Sequence, residues 1–425
     1  MLRSTTRIVA VERSLSRAYS AARSSPAPFL YSPLDSTRAL LSVQGNDSTK
    51  FLQGLVSNDV RKVGPGRDSV LYAALLQADG RYMSDLFLHA HPDPLDPAVP
   101  SFLLDHPSSQ TSQIRSYFRR HVLRSKLKLG KEAESEYQVV QAWANLDDRV
   151  DKAAVRQAEQ WLDEQEGVGR DPRVAGMGWR WIMKKGQELP SEFFEPSTPA
   201  HYHLHRLSHS IPENPPDFPA LPLEANLELM NGVDYKKGCY VGQELTARTH
   251  FKGVVRKRGV GIRLFREGEE VPTSFLPCAT RSEQAALIPS PALYPTPPPG
   301  SILTPLAPAP TSPTAPAKTT RAPRAPRSAG KLGLSLPLVS PSGSTTTIAF
   351  GSLKIDALDQ VFTVTPPPAA AATATTADST AVEGVTGEVA DRDEGEGEDG
   401  KWLAKGFMHE WVEFRLEEEE ISKGL

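Results

Sequence analysis

The sequence predicts an α+β fold with more than one domain, followed by a small β-barrel near the C-terminus. Three observations support this prediction. The chain has 425 residues, which is enough for two or three hydrophobic cores. Strand and helix patterns are mixed in residues 30–265, where Asp79-Gly80 marks a tight turn between two strands. After about residue 268, short strand-like segments are separated by stretches rich in proline, alanine and threonine.

Local patterns predict each element of the first region. A helix capped by Asp47 is expected over residues 47–59, with an apolar face of Phe51, Leu52 and Leu55. The other predicted helices are residues 108–120, 153–166 and 201–207, and the predicted strands are residues 38–45, 69–76, 81–90, 101–105, 122–129, 137–143, 174–182 and 254–265.

The second region has a different composition. Residues 285–326 are dense in proline, alanine and threonine, and residues 366–400 begin in the same way and end as an acidic stretch. Such segments cannot bury enough apolar surface to order themselves, so we predict two disordered insertions. The strand-like segments expected to form the barrel are residues 331–339, 345–353 and 406–416. The predicted division is therefore an α+β region at 30–265 and an interrupted barrel at 266–425.

The N-terminal segment, residues 1–24, has the composition of a mitochondrial transit peptide. It is rich in serine and arginine, and Glu12 is its only acidic residue. Its arginines are Arg3, Arg7, Arg13, Arg17 and Arg23. We therefore expect cleavage near Tyr19 and residence in the mitochondrial matrix. The alternative is a disordered basic tail.

Composition excludes several classes of function. The two cysteines, Cys239 and Cys278, form no C-x-x-C pair, which argues against a disulfide-stapled secreted protein. The net charge of -3 gives no reason to expect nucleic acid as a partner. No apolar run approaches the ~18 residues of a transmembrane helix, so no membrane span is expected.

Cys239 is the most informative residue. It lies between Gly238 and Tyr240, with Gly242 shortly after, and glycines permit an exposed turn. We expect a helix to begin just after this turn, at about Gln243. A helix N-terminus and a nearby lysine, Lys236 or Lys237, would favour the thiolate, which is both a nucleophile and a soft metal ligand. The alternative is a small buried apolar residue in a tight turn.

The segment around Cys239 resembles the Lys-Gly-Cys-Tyr-x-Gly-Gln-Glu signature of the YgfZ-type, folate-binding-like proteins. These proteins are relatives of the glycine-cleavage T-protein and act in iron–sulfur cluster assembly. The matching residues are Lys237, Gly238, Cys239, Tyr240, Gly242, Gln243 and Glu244. Residues 51–60 resemble the opening helix of the family. Ile211-Pro-Glu213 resembles its Gly-Ile-Pro-Glu turn, with Ser210 in the place of the glycine.

The resemblance implies a T-protein-like fold with a C-terminal barrel, and a set of site residues. Those of the signature site are Cys239 as a candidate thiolate, with Lys237, Tyr240, Gln243, Glu244 and Arg248, and Gly238 and Gly242 as structural residues. Asp85 is a candidate for facing tetrahydrofolate, and the alternative is an exposed acid on the hairpin. One thiol is too few to hold a cluster, and Cys278 is expected to be a free structural thiol. Cys239 is therefore expected to ligate a cluster transiently, shared with a partner.

Two functions are compatible with this resemblance. The first is an assembly factor without its own turnover, which works with A-type scaffold proteins. It would mature [4Fe–4S] clients of the aconitase type and of the lipoate- or biotin-synthase type. The second is a folate-dependent aminomethyltransferase of the glycine-cleavage type. The same fold hosts both functions, so the fold alone does not decide.

Two further groups of residues suggest binding, each with a simpler alternative. The histidines are His201, His203, His205 and His209. They could bind a metal, but a solvated or partly packed helix is the favoured interpretation. The basic residues are Arg248, Arg256, Lys257 and Arg258. They could bind an acidic ligand or partner, or form an ordinary solvated surface.

Overall fold

A computed structural model describes residues 25–64, 67–91, 96, 98–130, 133–306, 327–367 and 401–423. The predicted transit peptide lies outside these residues, as do 307–326 and 368–400 of the predicted insertions. The strands are β1 Phe29–Pro33, β2 Arg38–Gln44, β3 Val70–Leu76, β4 Tyr82–Ala90, β5 Ser101–Pro107, β6 Lys128–Gly130, β7 Tyr137–Ala144, β8 Gly169–Arg170, β9 Trp179–Lys184, β10 Phe194–Pro196, β11 Lys257–Arg266, β12 Ile288–Pro289, β13 Ile302–Pro305, β14 Gly330–Val339, β15 Thr345–Lys354, β16 Val361–Thr365 and β17 Trp402–Phe407. The α-helices are α1 Ser48–Gln53, α2 Thr111–Val122, α3 Ala133–Glu136, α4 Lys152–Glu164, α5 Pro199–Ser208, α6 Gln243–Lys252, α7 Arg281–Ala285 and α8 Glu410–Lys423. Single 3₁₀ turns occur at Val60–Lys62, Ser108–Gln110, Pro215–Asp217, Pro222–Ala225 and Ile355–Ala357.

The first sheet is antiparallel, in the order β3-β4-β5-β2-β6. Every residue of β3 is buried because both faces of the sheet are covered. Side chains alternate along the strand, so Leu71 and Leu75 enter a core with α1 and α2. Tyr72 and Leu76 enter the opposite core, which contains Tyr240 of the signature. The signature segment therefore packs into the core on one face of this sheet.

The second sheet has the order β10-β1-β7-β9-β8, with β1 and β10 parallel. The other pairs, which join β1, β7, β9 and β8, are antiparallel. Helix α4 packs Ala158 and Leu162 against the aromatic side chains of this sheet. The two sheets and their helices form the predicted α+β region.

The barrel is closed by six strands, β14-β13-β16-β17-β11-β15, with β15 returning to pair with β14. Strand β12 extends the sheet at β14. Apolar residues of β11, such as Val260, Ile262 and Leu264, point into its core together with Phe362. The predicted α+β fold with a small C-terminal barrel is thus confirmed.

Two predicted boundaries of the barrel need correction. The division at residue 265 leaves β11 outside the barrel, yet β11 pairs with both β15 and β17. The first insertion was predicted to begin at residue 285, but residues 285–306 contain β12 and β13, which pair with β14. Leu287 and Leu303 are buried there, and this burial outweighs the proline-rich composition.

Three predicted elements are also wrong in extent or type. The first helix ends at Gln53 rather than at residue 59. The predicted strand at 122–129 is reduced to β6, because α2 runs to Val122. Residues 406–416 are the end of β17 and the start of α8 rather than one strand, and Val412 is fully buried on the inner side of that helix.

Among the residues that the structure describes, no helix is both long enough and apolar enough to cross a bilayer.

Candidate functional site

The signature loop, residues 234–242, lies against the turn that follows α1. The Asp234 amide donates to the Ser57 carbonyl at 3.0 Å, and the Val241 amide donates to the Gly54 carbonyl at 3.1 Å. The two segments that resemble the family, residues 51–60 and the signature, are therefore in direct contact. This contact fixes both ends of the loop.

Lys237 anchors the middle of the loop. Its Nζ donates to the carbonyls of Gln53, Val56 and Asn58 at 2.8, 2.7 and 2.8 Å. The residue is 6% exposed, and its ammonium group lies 5.0 Å from the centre of the Tyr240 ring. Burial lowers the pKa of Lys237 to about 8. The sequence predicts that Lys237 stabilises a thiolate, but its donors are instead committed to backbone carbonyls at and after the end of α1.

Gly242 lets the loop turn into α6. Its φ is +80°, a left-handed conformation that glycine adopts without strain. A Cβ atom there would lie 2.5 Å from the Gln77 carbonyl oxygen and 2.7 Å from Leu76 Cβ. It would also lie 3.1 Å from the Cα of Gly80, in the Asp79-Gly80 turn. The hairpin turn predicted from sequence thus packs directly on the start of α6.

Tyr240 and Gln243 shape the loop. The Tyr240 amide donates to Gln243 Oε1 at 3.3 Å, and the buried Tyr240 hydroxyl lies 3.3 Å from Thr246 Oγ1. Glu244 and Arg248 face solvent, and Arg248 Nη1 lies 3.9 Å from Glu244 Oε1. Of these four predicted site residues, two are structural and two are free to meet a partner.

Cys239 is exposed and has a free thiol. Gly238 beside it is also exposed, and a Cβ atom at Gly238 would meet nothing within 4 Å. Its φ is not positive, so Gly238 is not required for the turn, contrary to our prediction. A rigidly anchored loop therefore presents one thiol to open space.

Cys278 lies elsewhere, in the barrel region. It packs with Phe275 and Leu276 on an apolar cluster, and burial raises the pKa of its thiol. Within the described ranges, no three histidine, cysteine or acidic side chains are grouped as a metal site.

The predicted histidine group is packed. His205 stacks on Trp143 with ring centres 5.4 Å apart, and His203 Nδ1 accepts a hydrogen bond from Arg206 Nε at 2.9 Å. Burial lowers the pKa of His203 to about 3 and that of His205 well below its usual value. The favoured interpretation is a solvated or partly packed helix, and this geometry agrees with its packed form.

Asp85 is hydrogen-bonded to protein groups through both of its carboxylate oxygens. It is fully buried, and Oδ2 accepts from Arg38 at 2.7 Å. Oδ1 accepts from the Tyr82 hydroxyl at 2.9 Å and from the Asn214 amide at 3.2 Å. With both oxygens paired to protein donors, Asp85 does not fit the predicted role of a tetrahydrofolate-facing carboxylate.

The predicted basic group divides between surface and interior. Arg258 is buried, with its Nη1 2.6 Å from Glu228 Oε1. Arg248 and Arg256 are exposed. Only part of the group can therefore meet an acidic partner.

Sequence reasoning missed the carbonyl cradle around Lys237 and the exposed ring of Phe251. A lysine shows no local sign that its ammonium group is buried. The aromatic residue seven positions after Glu244 on one helix face was a usable signal.

An α+β region joined to a closed six-stranded barrel, with a cysteine loop docked after α1, defines a T-protein-like fold. The structure of the glycine cleavage system aminomethyltransferase T from Bartonella henselae matches this chain with a TM-score of 0.50. The match has 13% sequence identity and covers 80% of this chain and 82% of that chain, so it shows the fold alone. No family model matches the chain.

In sequence, the chain is similar to proteins that are named IBA57. It is 37% identical over 247 residues to a protein of Mycosarcoma maydis named "Iron-sulfur cluster assembly factor IBA57 homolog, mitochondrial", covering 56% of this chain and 58% of the relative. It is 35% identical over 236 residues to the IBA57 protein of Mus musculus, covering 53% and 64%. A Neurospora crassa homologue is 35% identical over 252 residues, covering 56% and 54%. The matched regions thus span between about half and two thirds of each relative's length.

Proposed function

We propose that this chain takes part in mitochondrial iron–sulfur cluster assembly by offering the Cys239 thiolate as one ligand of a cluster that a partner carries. The main support is the geometry of the signature loop. Lys237 and Gly242 fix the loop against the protein, whereas Cys239 faces solvent. An exposed thiol on a rigid loop is suited to meeting a metal-bearing surface, because thiolates are soft ligands for iron.

The partner supplies the other ligands in this proposal. Clusters are commonly held by four thiolates, and the loop contributes one. Cys278 packs in the barrel region and is not placed to assist. We propose an A-type scaffold protein as the partner, and apo [4Fe–4S] proteins of the aconitase and lipoate- or biotin-synthase types as recipients.

The location we propose is the mitochondrial matrix. The relatives are named mitochondrial, and residues 1–24 have the composition of an import signal. N-terminal sequencing of the mitochondrial form checks this. A start near Tyr19 is expected, and an intact Met1 on a matrix-resident form would contradict it.

A reconstitution experiment tests the role of Cys239. An A-type scaffold protein loaded with iron and sulfide is mixed with this protein, and the visible absorption and circular dichroism are recorded. We expect a new cluster spectrum in a mixed complex, lost with Cys239→Ser and retained with the control Cys278→Ser. An undiminished cluster spectrum with Cys239→Ser would contradict the role of Cys239 as a ligand.

Depletion in cells separates this proposal from the aminomethyltransferase alternative. Cluster assembly predicts loss of aconitase activity together with loss of protein lipoylation. A transferase predicts selective loss of glycine cleavage with aconitase intact. Measuring the three activities side by side therefore distinguishes the two functions.

A further inference from the structure

A groove runs along the exposed side of α6, starting at the signature loop. Its volume is about 670 Å³, and Tyr240 and Gly242 line its loop end. Arg248, Phe251 and Lys252 line its other end. These three residues, four, seven and eight positions after Glu244, share one face of the helix. The groove therefore extends from beside Cys239 to the C-terminal end of α6.

Exposed apolar side chains occur at the far end of the groove and just beyond the end of α6. Phe251 is 66% exposed and Val254 is 80% exposed. The Phe251 ring is held on one side by edge contacts with Tyr235 and His250, with ring centres 5.5 and 4.8 Å away. Val254 also lines a second depression of about 150 Å³, together with Leu221, which is 40% exposed. Grouped apolar side chains in water are typical of a protein interface.

The same surface carries positive charge. Arg248, Lys252 and Arg256 are exposed, although the whole chain has a net charge of -3. Glu244 approaches Arg248 at 3.9 Å, but both side chains are more than half exposed. Such a pair contributes little in water, so Arg248 can exchange it for a partner's carboxylate. Basic and apolar groups together complement a segment that is acidic and apolar.

We infer that this groove docks an acidic segment with apolar side chains on the cluster-carrying partner, an inference that rests on the proposed function. Tyr240 lines the groove and follows Cys239 directly, so a partner seated there brings its metal-bearing part to the thiol. The groove then sets the affinity for the partner, and Cys239 ligates the cluster.

The test measures binding of the A-type scaffold protein without its cluster, by isothermal titration calorimetry. The groove variants are the double substitution Arg248→Glu with Lys252→Glu, and the single substitution Phe251→Ser. The matched control is Lys152→Glu with Arg156→Glu on α4, where a lysine and an arginine are also exposed and four residues apart. Melting temperatures confirm that each variant is folded.

We expect both groove variants to weaken binding by about tenfold or more and the control to stay within about twofold of wild type. Wild-type affinity should also fall as salt rises, because the contacts are between charges near the surface. Binding of the groove variants at wild-type strength would overturn the inference. So would an absence of measurable binding by wild type, or an effect of the groove variants on self-association alone.

Cys239→Ser separates this inference from the proposed function. It should bind the cluster-free scaffold within about twofold of wild type, while losing the cluster spectrum. If the spectrum persists but the groove variants bind weakly, docking stands and cluster ligation fails. If the spectrum is lost but the groove variants bind normally, cluster ligation stands and the docking inference fails.

Discussion

Lys237 supports the signature loop through a buried ammonium group with three donors and three backbone acceptors. The Gln53 carbonyl lies in the last turn of the first helix, where carbonyls lack donors within the helix, and the Val56 and Asn58 carbonyls follow that helix. At the scale of single residues, the loop is therefore stabilised from beneath, while the residues at its tip remain free. Two substitutions test this division of roles.

The first prediction concerns Lys237→Met, which keeps the chain length but removes the three donors. We expect it to lower the free energy of unfolding by about 3 kcal/mol, since buried carbonyls lose their partners. The neighbouring Lys236 is exposed, so Lys236→Met should change stability by less than about 0.5 kcal/mol. Urea denaturation of both variants measures the difference, and equal stabilities would refute the anchoring role.

The second prediction compares two glycines of the signature. Gly242→Ala forces a side chain into a left-handed conformation against the Gln77 carbonyl. It should cost about 2 kcal/mol or more. Gly238→Ala meets open space and should be nearly neutral, within about 0.5 kcal/mol. Thermal unfolding of the pair checks the order, and a stable Gly242→Ala would show that the turn adapts.

At the scale of elements, the two stretches 307–326 and 368–400 each lie between neighbouring strands of the barrel. Strand β13 pairs with β14 across residues 307–326, and β16 pairs with β17 across residues 368–400. In both antiparallel pairs, the strand ends on either side of the gap are adjacent. A short turn could close either pair without moving a strand.

The third prediction is that a six-residue glycine–serine linker can replace 368–400. Shortening a loop lowers its closure entropy cost by only ~0.6 kcal/mol for each halving of length. The melting temperature should therefore be unchanged or rise by up to about 4 °C. The same replacement of 307–326 serves as a parallel case. A broad, non-cooperative transition would show that the removed residues pack on the barrel.

Local sequence patterns were sufficient to predict some helix and turn positions and the exposure of the Cys239 thiol. The start of α6 near Gln243 and the Asp79-Gly80 turn depend on neighbouring residues, so the sequence contains their signals. The direction in which the Lys237 side chain points depends on carbonyl groups far away in the sequence. The cradle of carbonyls around its ammonium group could therefore not be inferred from the sequence. The same holds for Asp85, whose partners Arg38 and Asn214 are brought to it only by the fold.

At the scale of the whole molecule, a buried ion network joins the two sheets of the α+β region. Asp105 on β5 accepts from Arg38 Nε on β2 at 2.6 Å and from Arg180 Nε on β9 at 2.7 Å. Glu213 accepts from Arg173 at 2.9 Å and lies 3.4 Å from Arg180. Charges in this interior are stable only while their partners remain ionised.

The fourth prediction is that stability falls in acid through this network. Burial alone would raise the pKa of Asp105 and of Glu213, but the charges of Arg180 and its neighbours lower both. A carboxyl whose pKa is lower in the folded state contributes its full stability above its unfolded pKa and loses it as pH falls. The loss should begin at about pH 4.5, the ordinary pKa of a glutamate.

Asp105→Asn tests the network directly. It should cost about 3 kcal/mol at neutral pH, because two buried guanidinium groups each lose one of their charged partners. The variant should also lose less stability between neutral pH and acid than wild type does. Asp79→Asn, at an exposed pair with Arg81, is the control and should change little. An identical pH profile for Asp105→Asn would exclude Asp105 as a source of acid sensitivity.

The barrel and the signature loop differ in how much change in chain length they can accept during evolution. At the two barrel connections, residues can be gained or lost between strands whose pairing stays the same. The signature loop is held at Asp234, Lys237 and Gly242, so a single inserted residue would pull one of these anchors out of place. Total length is therefore a poor guide to kinship for this chain. The fixed spacing between Lys237 and Gly242 is a much better one.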